Sequence, residues 1–257
     1  MKFFVISDVH GYFNEMIAAL DAAGFDKDNE NHWLISLGDN IDRGRQPWQV
    51  MKYLMSLPQA ILVKGNHESL ALEMCARGYA ESYDYSNGTM QTIVDLAPHA
   101  RDMDEACSYA EKKLLKFTSN MVNYVELKNY VLTHGFIPVQ CDDSLPAYYE
   151  RNRRFSRMEN WREATKKQWE DARWLNGMKM VHNGFGIEKT IIVGHYHASW
   201  GRYTFEGKPE FGEGSDFSPY YYEDKLIAID GCTAYTGKVN CLVIEDEFTE
   251  GNNGMQM

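Results

Sequence analysis

Short apolar runs recur along the chain, and each ends in a polar or glycine-rich turn. Phe3 to Ile6 precedes Ser-Asp-Val-His-Gly, Trp33 to Leu37 precedes Gly-Asp-Asn, and Ile61 to Val63 precedes Lys-Gly-Asn-His-Glu. Runs of this length bounded by turn residues predict buried strands. Between the first two, Met16, Ile17 and Leu20 share a helical face that stops at Gly24, the residue type expected just past a helix end. Pro47 to Leu57 repeats the pattern with Pro at a helix start, and Glu68 to Arg77 predicts a third helix. Strand and helix alternate, so the pattern predicts an α/β fold with crossover connections.

Further strand candidates are Tyr130 to Leu132 before Thr-His-Gly, Thr190 to Val193 before Gly-His-Tyr-His, Leu226 to Ile229 before Asp-Gly, and Cys241 to Ile244. These read as a second set of strands. Residues 79–129 and 139–185 are richer in charge and helical spacing, and read as helical cover inserted over the sheet edge. Without internal repeats or a Pro/Ser linker, residues 1–257 read as one domain.

Composition narrows the function classes. Acidic residues outnumber basic ones 37 to 26, and the formal charge of −11 disfavours nucleic acid as a partner. The amino terminus lacks the apolar stretch of a secretory signal, and no segment approaches the roughly 20 apolar residues of a membrane span. Five scattered cysteines without a C-x-x-C pair fit a reducing compartment, so a soluble cytoplasmic protein with no membrane partner is expected.

Candidate chemistry sits immediately after the strand candidates. Asp8 and His10, Asp39 and Asp42, Asn66 and His67, His134, and His195 with His197 all occupy such turns. In open α/β sheets ligands bind beyond the carboxyl ends of the strands, so these residues should converge on one crevice. A single Asp or His at a strand end is ordinarily a turn residue or a cap. The ordered set D-x-H, G-D-x-x-D-R-G, G-N-H-E, T-H-G and G-H-x-H is far more specific than any one of them.

On these motifs, from Asp8-Val-His10-Gly11 to Gly194-His195 and supported by Asp230-Gly231, the chain resembles the calcineurin-like metallophosphoesterases over roughly residues 3–245. The G-D-x-x-D-R-G element points to the phosphoprotein phosphatase branch, which includes Ser/Thr protein phosphatases and symmetrical diadenosine tetraphosphatases. The resemblance implies two packed mixed β-sheets flanked by helices, and two divalent metal ions (Mn, Fe or Zn). It implies Asp39 as the bridging ligand, Asp8 and His10 at the first metal, and Asn66, His134 and His195 at the second. His67 resembles a general acid, Asp42 the carboxylate that orients it, and Arg43 a phosphate clamp. A second clamp should come from the interval holding Arg151, Arg153, Arg154, Arg157, Arg162 and Arg173, where Arg173 has the matching position.

The chemistry suits the residue types. Two divalent ions about 3.5–4 Å apart can hold a bridging hydroxide and neutralise phosphoryl oxygens. Their charge exceeds that of Asp8 and Asp39, so an acidic protein can still attract an anion locally. The leading expectation is a Ser/Thr phosphoprotein phosphatase. The alternative is a diadenosine tetraphosphatase-like pyrophosphohydrolase, and a phosphodiesterase stays open because Gly194-His-Tyr-His197 adds a candidate first-metal ligand, His197. A phospho-ligand binding protein without turnover is disfavoured by the intact set. The segment from Phe205 to Asp224 reads as a surface loop, with an aromatic platform for an adenine ring as the other option.

Overall fold

The computed structural model describes residues 1–141, 154–249 and 255–256. The chain begins with β1 (Lys2–Ile6), α1 (Phe13–Ala23), β2 (His32–Ser36), α2 (Pro47–Ser56), β3 (Ala60–Leu62) and α3 (Asn66–Arg77). Three helices follow, α4 (Ser82–Asn87), α5 (Thr89–Leu96) and α6 (Met103–Thr118), and then β4 (Tyr124–Glu126) and β5 (Tyr130–Thr133). A two-stranded hairpin of β6 (Gln140–Cys141) and β7 (Phe155–Ser156) leads to α7 (Lys166–Ala172), α8 (Gly177–His182), β8 (Thr190–Val193) and α9 (Ala198–Glu206). The chain ends with β9 (Tyr220–Tyr222), β10 (Leu226–Ala228), α10 (Thr233–Thr236), β11 (Cys241–Glu245) and β12 (Met255–Gln256).

Two mixed sheets carry the architecture, one of order β11-β1-β2-β3 and one of order β12-β4-β5-β8-β10-β9. β1, β2 and β3 are mutually parallel, as are β5, β8 and β10. Alternation along each strand decides which layer a side chain joins. Phe3, Val5 and Ile35 point to the second sheet and pack with Val125, Leu132 and Ile192. Phe4, Ile6 and Leu34 point the other way, onto the layer formed by α1 to α3, α5 and α6. On the far face of the second sheet, Ile191 and Val193 pack against Trp169, Met178 and Val181.

Helix ends follow local chemistry. Gly24 and Gly78 close α1 and α3 at φ of 78° and 77°, a left-handed conformation that costs glycine little, and Pro47 opens α2. α3 starts two residues before the periodicity predicts, so Asn66 and His67 occupy its first turn.

Five elements depart from the sequence reading. Cys241 to Ile244 was grouped with the second set of strands, but β11 pairs antiparallel with β1 and closes the first sheet. Strand β4 lies inside the segment 79–129, and β6 and β7 inside 139–185, both read as helical cover; Tyr124 to Glu126 carries no unbroken apolar run to mark it, and β9 lies in a segment read as loop. The inserted helices cover sheet faces instead of an edge: Leu114 and Phe117 of α6 join the layer of Phe4 and Ile6. Among the described residues, no helix is long and apolar enough to cross a membrane.

The layer between the sheets sets stability. Ile192 is fully buried there, so Ile192→Ala should cost roughly 2–5 kcal/mol in urea unfolding. An unchanged urea midpoint would mean that this layer contributes little.

Candidate metal centre

The carboxyl ends of β1, β2, β3, β5 and β8 deliver Asp8 and His10, Asp39, Asn66, His134 and His195 to one place. The turns interlock through the main chain: the Asp8 and His10 amides donate to the carbonyls of Gly38 and Asp39 (3.1 and 2.9 Å), and the Gly44 amide donates to that of His10 (2.8 Å). Two glycines permit the approach. A Cβ on Gly65 would collide with Asp39, and one on Gly194 with Ser7 and Asp8.

Asp39 sits at the centre. Its Oδ1 accepts the His67 backbone N–H at 3.0 Å, and its Oδ2 is faced by Nε2 of His134, His67 and His10 at 3.4, 3.8 and 4.0 Å. Asp39 therefore belongs to two groups of metal-ligand type, one with His10 and His67 and one with His134 and His195. Asp8 Oδ1 lies 4.0 Å from His10 Nε2, while its Oδ2 accepts the His195 backbone N–H at 3.0 Å and bonds the Ser7 hydroxyl. Asn66 Oδ1 lies 2.8 Å from His134 Nε2.

The donors are oriented from behind. Nδ1 of His10 donates to the Ile41 carbonyl (3.0 Å) and Nδ1 of His134 to the Leu37 carbonyl (2.7 Å), so each Nε2 points inward. At His134, Nε2 then meets only acceptors, Asn66 Oδ1 and Asp39 Oδ2. Without an ion this arrangement asks for a proton. Burial opposes charging that ring, yet Asp39 outweighs it and lifts the pKa of His134 to about 9. Burial, then repulsion from His134, drives His195 down to about 3, and burial with the charges of His67 and Arg43 holds His10 well below its usual value. Burial also opposes charge on Asp39, but His134 and His67 keep it well below the normal carboxylate range. Inward-facing carboxylate, amide and imidazole acceptors around one carboxylate fit divalent cations.

His67 is held separately. Its Nδ1 lies 2.7 Å from Asp42 Oδ2, which also accepts from Thr89 Oγ1 at 2.7 Å, and the Asp42 amide donates to Thr92 Oγ1 at 3.0 Å. Burial pulls the ring toward neutrality, but Asp39 and Asp42 raise its pKa overall. Thr89 and Thr92 escaped the sequence reading because they belong to the inserted helix α5. Glu68 was visible only as the last letter of G-N-H-E. Fully buried, it accepts the amides of Asp39, Asn40 and Gly65 at 3.1, 2.8 and 3.0 Å and so locks the β2 turn to α3. Asp230, buried beside Asp8, accepts the Cys232 amide at 2.7 Å, and burial first, then Asp8, raises its pKa well above normal.

The arginines differ. Arg43 is exposed, and its guanidinium makes no hydrogen bond or ion pair among the described residues, although it is near enough to oppose charge on His10 and His67. Arg173 is buried, donates to Asn123 Oδ1 at 2.9 Å, and lines a groove of about 650 Å³ together with Asn66 and Trp174. Arg162 is paired with Glu126 (2.7 Å) and Arg157 bonds the Gly184 carbonyl, which removes both from the centre. Arg154 is exposed, and Arg151 and Arg153 lie outside the described residues.

His197 departs from the expected ligand set. It is the N-cap of α9: Nδ1 accepts the Trp200 amide at 3.2 Å and meets Ser199 Oγ at 2.8 Å, while Nε2 turns 3.5 Å from Glu210. The left-handed backbone at His195, φ 65°, breaks the extended run that would put both imidazoles on one side, and His197 joins neither group of ligand-type residues.

The chain is 31% identical over 140 residues to a symmetrical bis(5'-nucleosyl)-tetraphosphatase of Nitrosospira multiformis, covering 54% of this chain and 45% of that one. It is 36% identical over 138 residues to serine/threonine-protein phosphatase 2 of Escherichia coli, covering 52% and 58% respectively. The chain thus spans about half of the length of these curated relatives. Among solved structures, a candidate diadenosine tetraphosphatase matches at a TM-score of 0.53 and 16% identity over 95% of this chain and 89% of that one. A cold-active protein-tyrosine phosphatase of a psychrophilic Shewanella matches at 0.50 and 16% over 95% and 75%. Both show the fold alone. Residues 1–211 match the family model for calcineurin-like phosphoesterases, and the chain belongs to that family.

Proposed function

We propose that the chain is a metal-dependent phosphoester hydrolase of the cytoplasm, acting on phosphoserine and phosphothreonine monoesters. The observation that carries this reading is the Asp39 carboxylate, common to two groups of ligand-type residues and flanked by a His67 ring that Asp42 anchors. Asp8, His10 and Asp39 would hold one cation, and Asn66, His134 and His195, with Asp39 shared, the other. Bound there, manganese, iron or zinc ions would supply the charge that activates water and neutralises phosphoryl oxygens. His67 keeps a proton at Nε2 for the departing alkoxide, with Nδ1 tied to Asp42. Arg43 is free to give two parallel donors to the phosphoryl group, and Arg173 approaches it from the Asn66 side. A second reading, hydrolysis of dinucleotide polyphosphates, is supported by the names of the matched tetraphosphatases. Against a phosphodiesterase reading, His197, the added ligand it invoked, caps α9 through Nδ1 and turns Nε2 toward Glu210.

The deciding experiment is an activity panel with manganese: a phosphopeptide, diadenosine tetraphosphate, a phosphomonoester dye and a phosphodiester dye. Turnover of none of the four would overturn the hydrolase reading, and the ranking selects the substrate class.

Three sets of variants test the roles. Asp39→Asn should lose most activity and at least one metal equivalent while the chain stays folded; two retained ions with a normal rate would disprove the shared-ligand role. His67→Asn should lower kcat roughly 10²-fold or more on poor leaving groups, less on a nitrophenyl ester, with metal content unchanged. Equal losses on both esters argue against a general acid, and a lost ion would make His67 a ligand. Arg43→Lys keeps charge without the planar fork and should be clearly impaired in kcat/KM. For Arg173→Ala, a kcat/KM within about twofold of the parent, under ~0.5 kcal/mol, would remove it from the clamp.

A further inference from the structure

The inserted helix α5 clasps the loop of Asp42 and Arg43 at three points. Thr89 Oγ1 donates to Asp42 Oδ2 at 2.7 Å, and the Asp42 amide donates to Thr92 Oγ1 at 3.0 Å. Gly88, just before the helix, lies so close to Arg43 that a Cβ there would collide with its backbone nitrogen. Thr89 and Thr92 are fully buried and one turn apart on one face, and Ile93 and Leu96 fasten the helix to the core.

The group that needs holding is the Asp42 carboxylate. It is fully buried, and both of its donors, His67 Nδ1 and the Thr89 hydroxyl, meet the same oxygen, while Oδ1 has no partner among the described residues. A carboxylate only accepts, so both protons point toward it. The torsion that turns an aspartate carboxyl is broad and roughly two-fold, so a single bond to a ring that can itself turn does not fix its plane. Thr89 supplies the second point, from a β-branched side chain with few rotamers. The ring depends on the carboxylate in turn. Nδ1 makes the ring's one hydrogen bond among the described residues, Nε2 stands 3.8 Å from Asp39 Oδ2, and the His10 ring meets it edge to face at 4.7 Å.

We propose that Thr89 is a positioning residue for protonation of the leaving group: its hydroxyl fixes the Asp42 carboxylate, and the carboxylate fixes the His67 ring with Nε2 toward Asp39. Its effect on rate rests on the hydrolase reading, in which His67 serves the departing alkoxide; its effect on the ring does not. Thr92 has a different part, since its hydroxyl holds the main chain of Asp42 and not the carboxylate.

Three variants separate these parts. Thr89→Val keeps the shape without the hydroxyl, Thr89→Ser keeps the hydroxyl, and Thr92→Val removes a partner of the main chain alone. For each, kcat and KM are measured with manganese on a phosphoserine peptide and on nitrophenyl phosphate, and stability by urea unfolding. A general acid contributes on the order of 10²- to 10⁴-fold, and loosening it should forfeit a part of that. Thr89→Val should lower kcat about tenfold on the peptide and less than twofold on the nitrophenyl ester, with KM and manganese content unchanged. Thr89→Ser should bring the ratio of the two kcat values back to within about threefold of the parent. Thr92→Val should unfold at lower urea with that ratio unchanged. Equal losses on both esters in Thr89→Val, no recovery in Thr89→Ser, or the same change of ratio in Thr92→Val would overturn the role.

The ring can also be followed without turnover, through the proton NMR signal of His67 Nδ1–H in the zinc-loaded chain, identified by its absence from His67→Asn. A bond to a buried carboxylate moves this proton downfield and slows its exchange with water. The signal should persist in Thr89→Ser and broaden by exchange in Thr89→Val. A signal as sharp in Thr89→Val as in the parent would overturn the positioning. Its loss in Thr89→Val, with no ester turned over by the parent, would sustain the positioning and defeat the hydrolase reading instead.

Discussion

The structure depends on backbone turns that few side chains tolerate. Asp8, His10, Asp39, Asp42, Arg43 and His195 all have positive φ, between 49° and 72°. Each such residue costs on the order of 1–3 kcal/mol unless its surroundings impose the conformation. Here they do: the β1 turn hydrogen-bonds to the β2 turn, and Glu68 fastens the β2 turn to α3. A right-handed turn at these positions would aim the same side chains elsewhere. The two-sheet core is thus a rigid base from which strained loops present acidic and imidazole groups to a common point.

That point is electrostatically incomplete without cations. Asp8, Asp39 and Asp230 lie buried together, as do His10, His67, His134 and His195. Their pKa values diverge, His134 to about 9 because burial is outweighed by Asp39, and His195 to about 3 because burial, then the charge on His134, opposes its proton. Divalent ions would take over the role of those protons, neutralising the carboxylates and binding imidazoles in the neutral form that His10 and His195 already favour. The chain's net charge of −11 has little bearing on this local balance.

Much of this was legible in the sequence because strand ends carry their own signature. Apolar runs gave β1, β2, β3, β5, β8 and β10 within one or two residues, and the polar turns after them named the converging residues. What stayed hidden depends on tertiary pairing. The antiparallel return of β11 to β1 leaves no trace in a run of apolar residues. β4 is no shorter than β3 or β10, but Tyr124 to Glu126 carries no unbroken apolar run. Thr89 and Thr92 reach Asp42 across about 50 positions of sequence. His197 is harder to place from sequence, because a left-handed turn at His195 interrupts the extended run and α9 begins at Ala198 with His197 as its cap.

The last asymmetry lies in what flanks the centre. On one side Arg173 is buried, tethered to Asn123, and opens onto a groove with Trp174. On the other Arg43 is exposed and untethered among the described residues. A tethered guanidinium loses little entropy on meeting a phosphoryl oxygen, whereas a free one must be ordered by the ligand. The Arg173 side is therefore the more pre-organised of the two. A ligand that meets Arg43 must offset that ordering cost through its other contacts.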